Sequence, residues 1–179
     1  MKLIKKWLKM ATACICANVI FVTPVMAAPA EGLDNDALEK LIHERTNSMF
    51  RTGNDASDLI INAMGLLGVA YHFGGNTPTN GLDCSGFMQY IFKRSLGITL
   101  PRNSRQMATT GEAVDLANLQ PADLVFFNPG GGGISHVGMY IGNGRMIHAP
   151  RTGKNIEITR IDQGYWAKVF VTARRVKHS

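Results

Sequence analysis

An Asn-Gly pair at positions 143–144 separates two β-prone runs, and it restricts the fold of this chain more than any other feature. The run before the pair reads ISHVGMYIG and the run after it reads RMIHAP. Asn-Gly between such runs is the strongest local signal for a β-hairpin. Further β-prone runs, ADLVFF, NIEITR and YWAKVFVTARRV, accompany it, and helical patterns precede them all. The sequence therefore predicts an α+β fold, with N-terminal helices packed on an antiparallel β-sheet.

The register of this hairpin decides whether His136 and His148 lie on one face of the sheet. With a two-residue Asn-Gly turn, Met139 would oppose His148, and the two histidines would point to opposite faces. With a three-residue Gly-Asn-Gly loop, Gly138 would oppose His148, and the histidines would share a face. We expect the longer loop, because it alone aligns the imidazoles and because Gly144 can adopt the left-handed conformation that it needs.

The first 27 residues have the organisation of a secretory signal. A basic start, MKLIKKWLKM, precedes the apolar run ATACICANVIFVTPV and the small residues MAAPA, which predicts cleavage after Ala27. An uncleaved membrane anchor is the alternative, but Asn18 and Pro24 interrupt the short apolar run. Lipid attachment at Cys14 ranks last, because hardly any apolar segment precedes that cysteine. We expect export across the inner membrane, with the periplasm as the destination.

The formal net charge of +6 belongs mostly to this predicted signal, which has four lysines and no acidic residue. Its removal would leave a charge of +2. The remaining chain has no run of basic residues suited to a phosphate backbone, which disfavours nucleic-acid binding. We also expect no stable membrane insertion and a monomeric protein.

The chain after the signal divides into two predicted parts. Residues 28–55 are polar and predict a linker or arm, with one amphipathic helix over 36–50. Residues 56–179 predict the compact domain. Within it, SDLIINAMGLLG predicts a helix capped by Ser57, and CSGFMQYIFKRSLG predicts a second helix that stops at Gly97.

Cys84 is the one cysteine beyond the predicted signal, because Cys14 and Cys16 lie within it. It lies at the start of the second predicted helix, where backbone N–H groups and the helix dipole would stabilise a thiolate or an oxyanion. Together with two histidines on one face, it suggests nucleophilic catalysis. His136 would take the thiol proton and His148 would orient His136. A buried structural cysteine and a zinc site of one cysteine and two histidines are the alternatives.

The segments LDCSGF, HVGMYIG and IHA, in this order, resemble the NlpC family of cell-wall cysteine peptidases, which is related to papain. Further matches are YHFGG, LPR and DLVFF, and the resemblance extends from about residue 58 to 175. It implies a papain-like fold without a cofactor or a metal. It also implies Cys84 as the nucleophile, His136 as the base and His148 as the third member of a triad.

The same resemblance implies three substrate-binding residues. Tyr71 would lie beside the nucleophile, and Asp83 and Ser85 would line the acceptor cleft, where the aspartate meets a peptide amine. Two positions depart from the family pattern. Ala122 stands where relatives have glycine, and Met107 stands where they often have glutamine.

The activity implied by the resemblance is hydrolysis of peptidoglycan peptides through a thioester on Cys84. The bond would be either D-glutamate to the diamino acid or the crosslink between the diamino acid and D-alanine, and the sequence does not choose between them. A catalytically silent murein-binding or scaffold protein is the alternative, as is an amidase or acyltransferase on the same fold. An uncontrolled murein endopeptidase would endanger its host, which favours a regulatory partner protein or an occluded cleft.

Overall fold

The structure is a computed structural model that describes residues 35–177. The predicted signal, its cleavage position, Cys14 and the first residues of the predicted arm lie outside this range. Within residues 35–177, no helix is both long enough and apolar enough to cross a membrane.

The described residues form a layer of helices and a layer of antiparallel strands. The helices are α1 (Asn35–Met64), α2 (Cys84–Leu96), α3 (Ser104–Met107) and α4 (Gly164–Val169), with a 3-10 turn at Leu116–Asn118. The strands are β1 (Asn76–Thr77), β2 (Gly81–Leu82), β3 (Glu112–Val114), β4 (Leu124–Phe127), β5 (His136–Gly142), β6 (Arg145–His148), β7 (Glu157–Arg160) and β8 (Phe170–Arg175). The predicted α+β class is confirmed.

Six of the strands form one antiparallel sheet in the order β3-β8-β4-β5-β6-β7, which leaves β3 and β7 as its edges. One face packs on α1 and α2 through apolar side chains that include Leu59, Phe87 and Phe126. The other face packs on the segment around α4, through a smaller cluster that includes Phe127 and Met146. Alternate residues of each strand therefore belong to different cores.

Helix α1 is continuous through the position where we expected an arm to end and a new helix to begin. The predicted Ser57 cap is wrong, because the Ser57 hydroxyl donates to the carbonyl oxygen of Gly53 at 2.9 Å, as serines in helix interiors do. Leu59 and Ala63, near the C-terminal end of α1, are buried, whereas Leu38 and Leu41 near its beginning are exposed. The helix thus docks by its C-terminal part.

The β5–β6 hairpin has a shorter turn than we predicted but the predicted alignment of its histidines. Gly142 pairs with Arg145, so the turn is the two-residue Asn-Gly pair and the expected three-residue loop is wrong. A bulge at Ile141 then shifts the register by one residue, and Met139 pairs with Ile147. The same register continued by one residue brings Gly138 opposite His148. The extra residue in the bulge thus replaces the extra residue of the longer loop.

The C-terminal run that we predicted as one strand is half helical. Gly164–Val169 forms α4, and the strand begins only at Phe170. The side chain of Trp166 packs edge-on against Phe127, with the ring centroids 5.0 Å apart. This tertiary contact outweighs the β propensity of the aromatic residues in the run.

Candidate active site

Cys84 is the first residue of α2, as predicted, and the preceding residue caps the helix. Asp83 is extended, and its carboxylate accepts a hydrogen bond from the backbone N–H of Gly86 at 2.7 Å. Gly86 also passes so close to the backbone of Gly75 that a Cβ would collide with the Gly75 carbonyl oxygen. Asp83 and Gly86 are therefore residue types that this helix start requires.

The thiol of Cys84 is partly buried beside the backbone that carries His136. Burial raises the pKa of Cys84, while the backbone N–H of Val137 opposes this rise, and the negative charge of Asp83 adds to it. The N–H groups of Ser85 and Cys84 itself also favour the thiolate. The N–H groups at the helix start thus lower the pKa of Cys84, as we expected. Burial raises this pKa by more, so Cys84 is a thiol in the resting protein.

His136 and His148 lie on the same face of the sheet and are hydrogen-bonded to each other. Nε2 of His136 lies 2.8 Å from Nδ1 of His148. Both residues are buried, with His148 wholly inaccessible to solvent. This bond leaves Nδ1 of His136 as the ring nitrogen available to a thiol.

Burial keeps both imidazoles neutral. It lowers the pKa of His136 from 6.5 to about 4 and, together with the charge of His136, lowers that of His148 to about 3. A neutral imidazole can accept a proton, so His136 is a competent base over most of the pH range.

Trp166 covers the two histidines, and we did not identify it from the sequence. Its indole lies against His136 with the centroids 4.9 Å apart and the planes inclined by 31°. It meets His148 edge-on at 5.0 Å. The only signal in the sequence was an aromatic pair, YW, in a run that we interpreted as a strand.

The carboxylate of Asp83 is saturated with hydrogen bonds. Arg102 donates to both of its oxygens, at 3.0 and 2.6 Å, and the hydroxyl of Ser85 and the N–H groups of Gly74 and Gly86 also donate to it. Burial alone would raise the pKa of Asp83, but the hydrogen bonds from Arg102 and Gly86 outweigh burial and hold it below its usual value. Asp83 is therefore ionised and fully engaged within the protein.

Ser85 belongs to the same network, because its hydroxyl also accepts a hydrogen bond from Arg102 at 2.8 Å. We did not assign Arg102 a role in the site, although it belongs to the LPR segment noted in the sequence. Through these hydrogen bonds, its guanidinium links the segment before α3 to the start of α2. A planar fork of donors facing a carboxylate suits this task.

Tyr71 lies close enough to Cys84, Asp83 and Arg102 for their charges to act on its hydroxyl. Burial raises the pKa of its hydroxyl, and the neighbouring Cys84 and Asp83 raise it further, against the opposing charge of Arg102. Its phenol therefore stays protonated and can donate a hydrogen bond. Within the described range, no three His, Cys, Asp or Glu side chains form a group suited to a metal ion.

The site thus combines a thiol at a helix start, a buried neutral base and backbone N–H groups near the sulfur. Attack by the thiol on an amide carbonyl needs each of these. The helical layer supplies the sulfur and the sheet supplies the imidazoles.

Comparison with known proteins shows which family this chain is similar to. The sequence model of the NlpC/P60 family matches residues 68–175. "Murein DD-endopeptidase MepH" of Escherichia coli is 42% identical over 113 residues, which are 62% of this chain and 42% of that protein. "Probable endopeptidase NlpC homolog" of Haemophilus influenzae is 36% identical over 146 residues, 80% of this chain and 75% of the relative.

A solved structure of an NlpC/P60 family protein from Bacillus cereus superposes with a TM-score of 0.63 at 42% identity, over 67% of this chain and 39% of that one. Other relatives are also longer. The chain spans 26% of the "Gamma-DL-glutamyl hydrolase" of Bacillus subtilis, to which it is 46% identical over 110 residues.

Proposed function

The chain belongs to the NlpC/P60 family, and we propose that it is a cysteine endopeptidase that hydrolyses amide bonds in peptidoglycan peptides. The observation that carries this proposal is the buried hydrogen bond between His136 and His148, on a strand whose backbone contacts the thiol of Cys84. A structural cysteine would need neither the imidazole pair nor its alignment.

In this mechanism Cys84 is the nucleophile and His136 is the general base. As the sulfur forms a bond to the amide carbonyl carbon, the thiol proton moves to His136. The backbone N–H groups at the start of α2 hold the oxygen that becomes negative. His136 then gives the proton to the leaving amine, and the acyl group stays on the sulfur as a thioester. Water, deprotonated by His136, releases the acid and restores the thiol.

His148 keeps Nδ1 of His136 directed to the sulfur. It accepts the hydrogen bond from Nε2–H of His136 and so fixes the tautomer that the base requires. When His136 becomes cationic, this bond becomes charge-assisted and stronger.

Tyr71, Ser85 and Asp83 line the substrate side of the nucleophile in this proposal. Tyr71 donates a hydrogen bond to the substrate or to the developing oxyanion. Because the oxygens of Asp83 already accept five hydrogen bonds, we assign Asp83 to holding Arg102 and the helix start. An incoming peptide amine would have to compete with these donors for the carboxylate.

The substrate is a murein stem peptide or crosslink, and two bonds fit the relatives. MepH is named a murein DD-endopeptidase, whereas a Bacillus subtilis relative, 41% identical over 122 residues, is named a gamma-D-glutamyl-L-lysine dipeptidyl-peptidase. The corresponding bonds here are the diamino acid–D-alanine crosslink and the D-glutamate–diamino acid bond. We place the enzyme in the periplasm, exported by its N-terminal segment and acting as a monomer under the control of a partner protein.

Purified murein digested with the wild type and with Cys84→Ala tests the proposal. We expect soluble fragments from the wild type alone, and His136→Ala should be as inactive as Cys84→Ala. His43→Ala is the matched control, because His43 is exposed on α1, far along the chain from the site. Equal digestion by the wild type and Cys84→Ala would refute the proposal, as would no digestion by either.

The masses of the fragments identify the bond. Conversion of crosslinked dimers to monomers indicates cleavage of the crosslink, whereas shortened stems indicate cleavage after D-glutamate. Glycan chains freed of whole stem peptides would indicate an amidase instead. A protein that binds murein but releases nothing would be the silent scaffold, and its Cys84 should then react with iodoacetamide no faster than an unassisted thiol.

A further inference from the structure

The imidazole of His148 has a ring nitrogen that the triad does not use. His148 is wholly buried, and within the described part of the chain its Nε2 is one of two buried side-chain nitrogen or oxygen atoms without a hydrogen-bond partner. A buried polar group without a partner costs about 1–3 kcal/mol. Such a group beside a reactive centre requires an explanation.

The tautomers required for catalysis put a proton on this nitrogen. If Nδ1 of His136 is to accept the thiol proton, Nε2 of His136 must carry a hydrogen and donate it to Nδ1 of His148. A neutral His148 that accepts at Nδ1 has its own proton at Nε2. The unpartnered atom is therefore a donor, and it needs an acceptor.

Glu157 carries a carboxylate acceptor close to this nitrogen. Glu157 pairs directly with His148 across strands β6 and β7. Its Oε1 lies 3.8 Å from Nε2 of His148. An N–H···O bond is about 2.9 Å long, so a shift of about one ångström would complete it. The Glu157 side chain is 45% exposed on an edge strand, which gives it the freedom to make that shift.

We propose that Glu157 is a positioning residue that accepts the Nε2–H of His148 and thereby fixes the tautomers of both histidines. The relay then runs from Cys84 through His136 and His148 to Glu157. This inference rests on the proposed function, because only a catalytic His136 requires this tautomer.

The carboxylate also supplies what the triad otherwise lacks. A neutral imidazole in the third position orients the base but does not balance the positive charge that forms on it. Glu157 adds a negative charge one residue further along the relay. Because this carboxylate is half exposed, solvent weakens its effect, and we expect its removal to slow the reaction rather than abolish it.

The test compares Glu157→Leu with Glu157→Gln, which keeps an acceptor oxygen on a side chain of the same length. We expect Glu157→Leu to lower kcat about tenfold with little change in KM, as loss of one hydrogen bond of ordinary strength would do. Glu157→Gln should recover most of that loss. Glu112→Leu and Glu112→Gln are matched controls on β3, the opposite edge of the same sheet.

A second measurement, made without substrate, is the long-range ¹H–¹⁵N correlation spectrum of the histidine rings. The wild type and Glu157→Gln should show His148 protonated at Nε2, and Glu157→Leu should show a mixture with the Nδ1-protonated form. A wild-type His148 protonated at Nδ1 would refute the proposal, as would a Glu157→Leu variant with unchanged spectrum and kcat. If the wild type digests no murein, the proposed function fails, while the spectra still decide the role of Glu157.

Discussion

The indole of Trp166 lies against the imidazole of His136, with the ring centroids 4.9 Å apart and the planes inclined by 31°. The same indole meets His148 edge-on, so one side chain from α4 shields both histidines from water. This shielding is part of the reason that a proton binds so weakly to either ring. His136, the base of the proposed mechanism, therefore owes part of its neutral state to a residue that takes no part in proton transfer.

Replacement of Trp166 by alanine should raise the pKa of His136 from about 4 toward its ordinary value of 6.5, because water would reach the ring. The acid limb of the pH profile of kcat/KM should move upward with it, since a protonated His136 cannot act as the base. Trp166→Phe, which keeps an aromatic cover, should shift the limb less. An acid limb at the same pH in Trp166→Ala and the wild type would contradict this account.

Folding stability should decrease as the pH falls below about 6.5. The folded protein holds His136 and His148 neutral, with pKa values of about 4 and about 3, whereas an exposed imidazole has a pKa of 6.5. Between these limits the unfolded chain binds more protons than the folded one, so each of the two histidines removes up to about 1.4 kcal/mol of stability per pH unit. Above 6.5 this contribution is complete and constant.

Urea unfolding at pH 7 and at pH 5 would measure this effect. A variant with both His136→Gln and His148→Gln should lose much less stability between the two pH values than the wild type does. His43→Gln, at an exposed position, should lose as much as the wild type. Equal losses in the double variant and the wild type would show that other groups cause the acid sensitivity.

Arg102→Lys should destabilise the protein and impair catalysis, although the charge is kept. The guanidinium donates two parallel hydrogen bonds to Asp83 and a third to Ser85, and an ammonium group cannot reproduce this fork. Because the Arg102 side chain is 42% exposed, we expect a loss of only about 1 kcal/mol in the free energy of unfolding. The fall in kcat/KM should be larger, since the start of α2 carries the nucleophile.

Arg105→Lys is the control for this prediction, because Arg105 is an exposed arginine of α3 whose contact is a long hydrogen bond to the carbonyl oxygen of Gly132. It should change neither thermal unfolding nor kcat/KM appreciably. If Arg102→Lys behaved in the same way as Arg105→Lys, the network around Asp83 would be dispensable.

Ala122→Gly should stabilise the protein. Ala122 has φ of +77°, a left-handed conformation that costs a residue with a Cβ about 1–2 kcal/mol. Glycine removes this strain but loses about 0.5–1 kcal/mol through the greater freedom of the unfolded chain, so a net gain of up to about 1.5 kcal/mol is expected. Chemical denaturation of both proteins measures the difference.

Asn143→Gly is the matched control, since Asn143 also has a positive φ, of +52°. Asparagine tolerates this region far better than alanine, so the change at the turn should be smaller than the change at position 122. A destabilised Ala122→Gly would mean that contacts of the Ala122 methyl group outweigh the backbone strain.

Local patterns in the sequence were sufficient to predict the elements that carry the site. The apolar spacing of α2 and the final glycine predicted a helix that begins near Cys84 and ends before Gly97, because each of these signals acts within one or two turns. The β-prone runs around the Asn-Gly pair likewise predicted β5 and β6, the two strands that carry His136 and His148. The resemblance implied a glycine at position 122, and the positive φ of Ala122 is a conformation that favours glycine.

Features that depend on contacts between distant segments were not predictable in this way. The bulge at Ile141 restores the alignment of His136 and His148, and no short-range rule places a bulge there. Trp166 contacts the histidines because it lies on α4, and the β-prone residues around it predicted a strand instead of this helix. Arg102 and Glu157 act through partners on other elements, so their residue types alone did not distinguish them from other charged residues.

The sulfur and the imidazoles come from two layers of the fold that are far apart in the chain. Before those layers pack together, His136 is not positioned beside Cys84, and the indole of Trp166 does not shield the two histidines from water. Catalytic competence therefore appears together with the tertiary structure, in one cooperative step. An unfolded chain therefore lacks the proposed site, and folding is itself the event that assembles it.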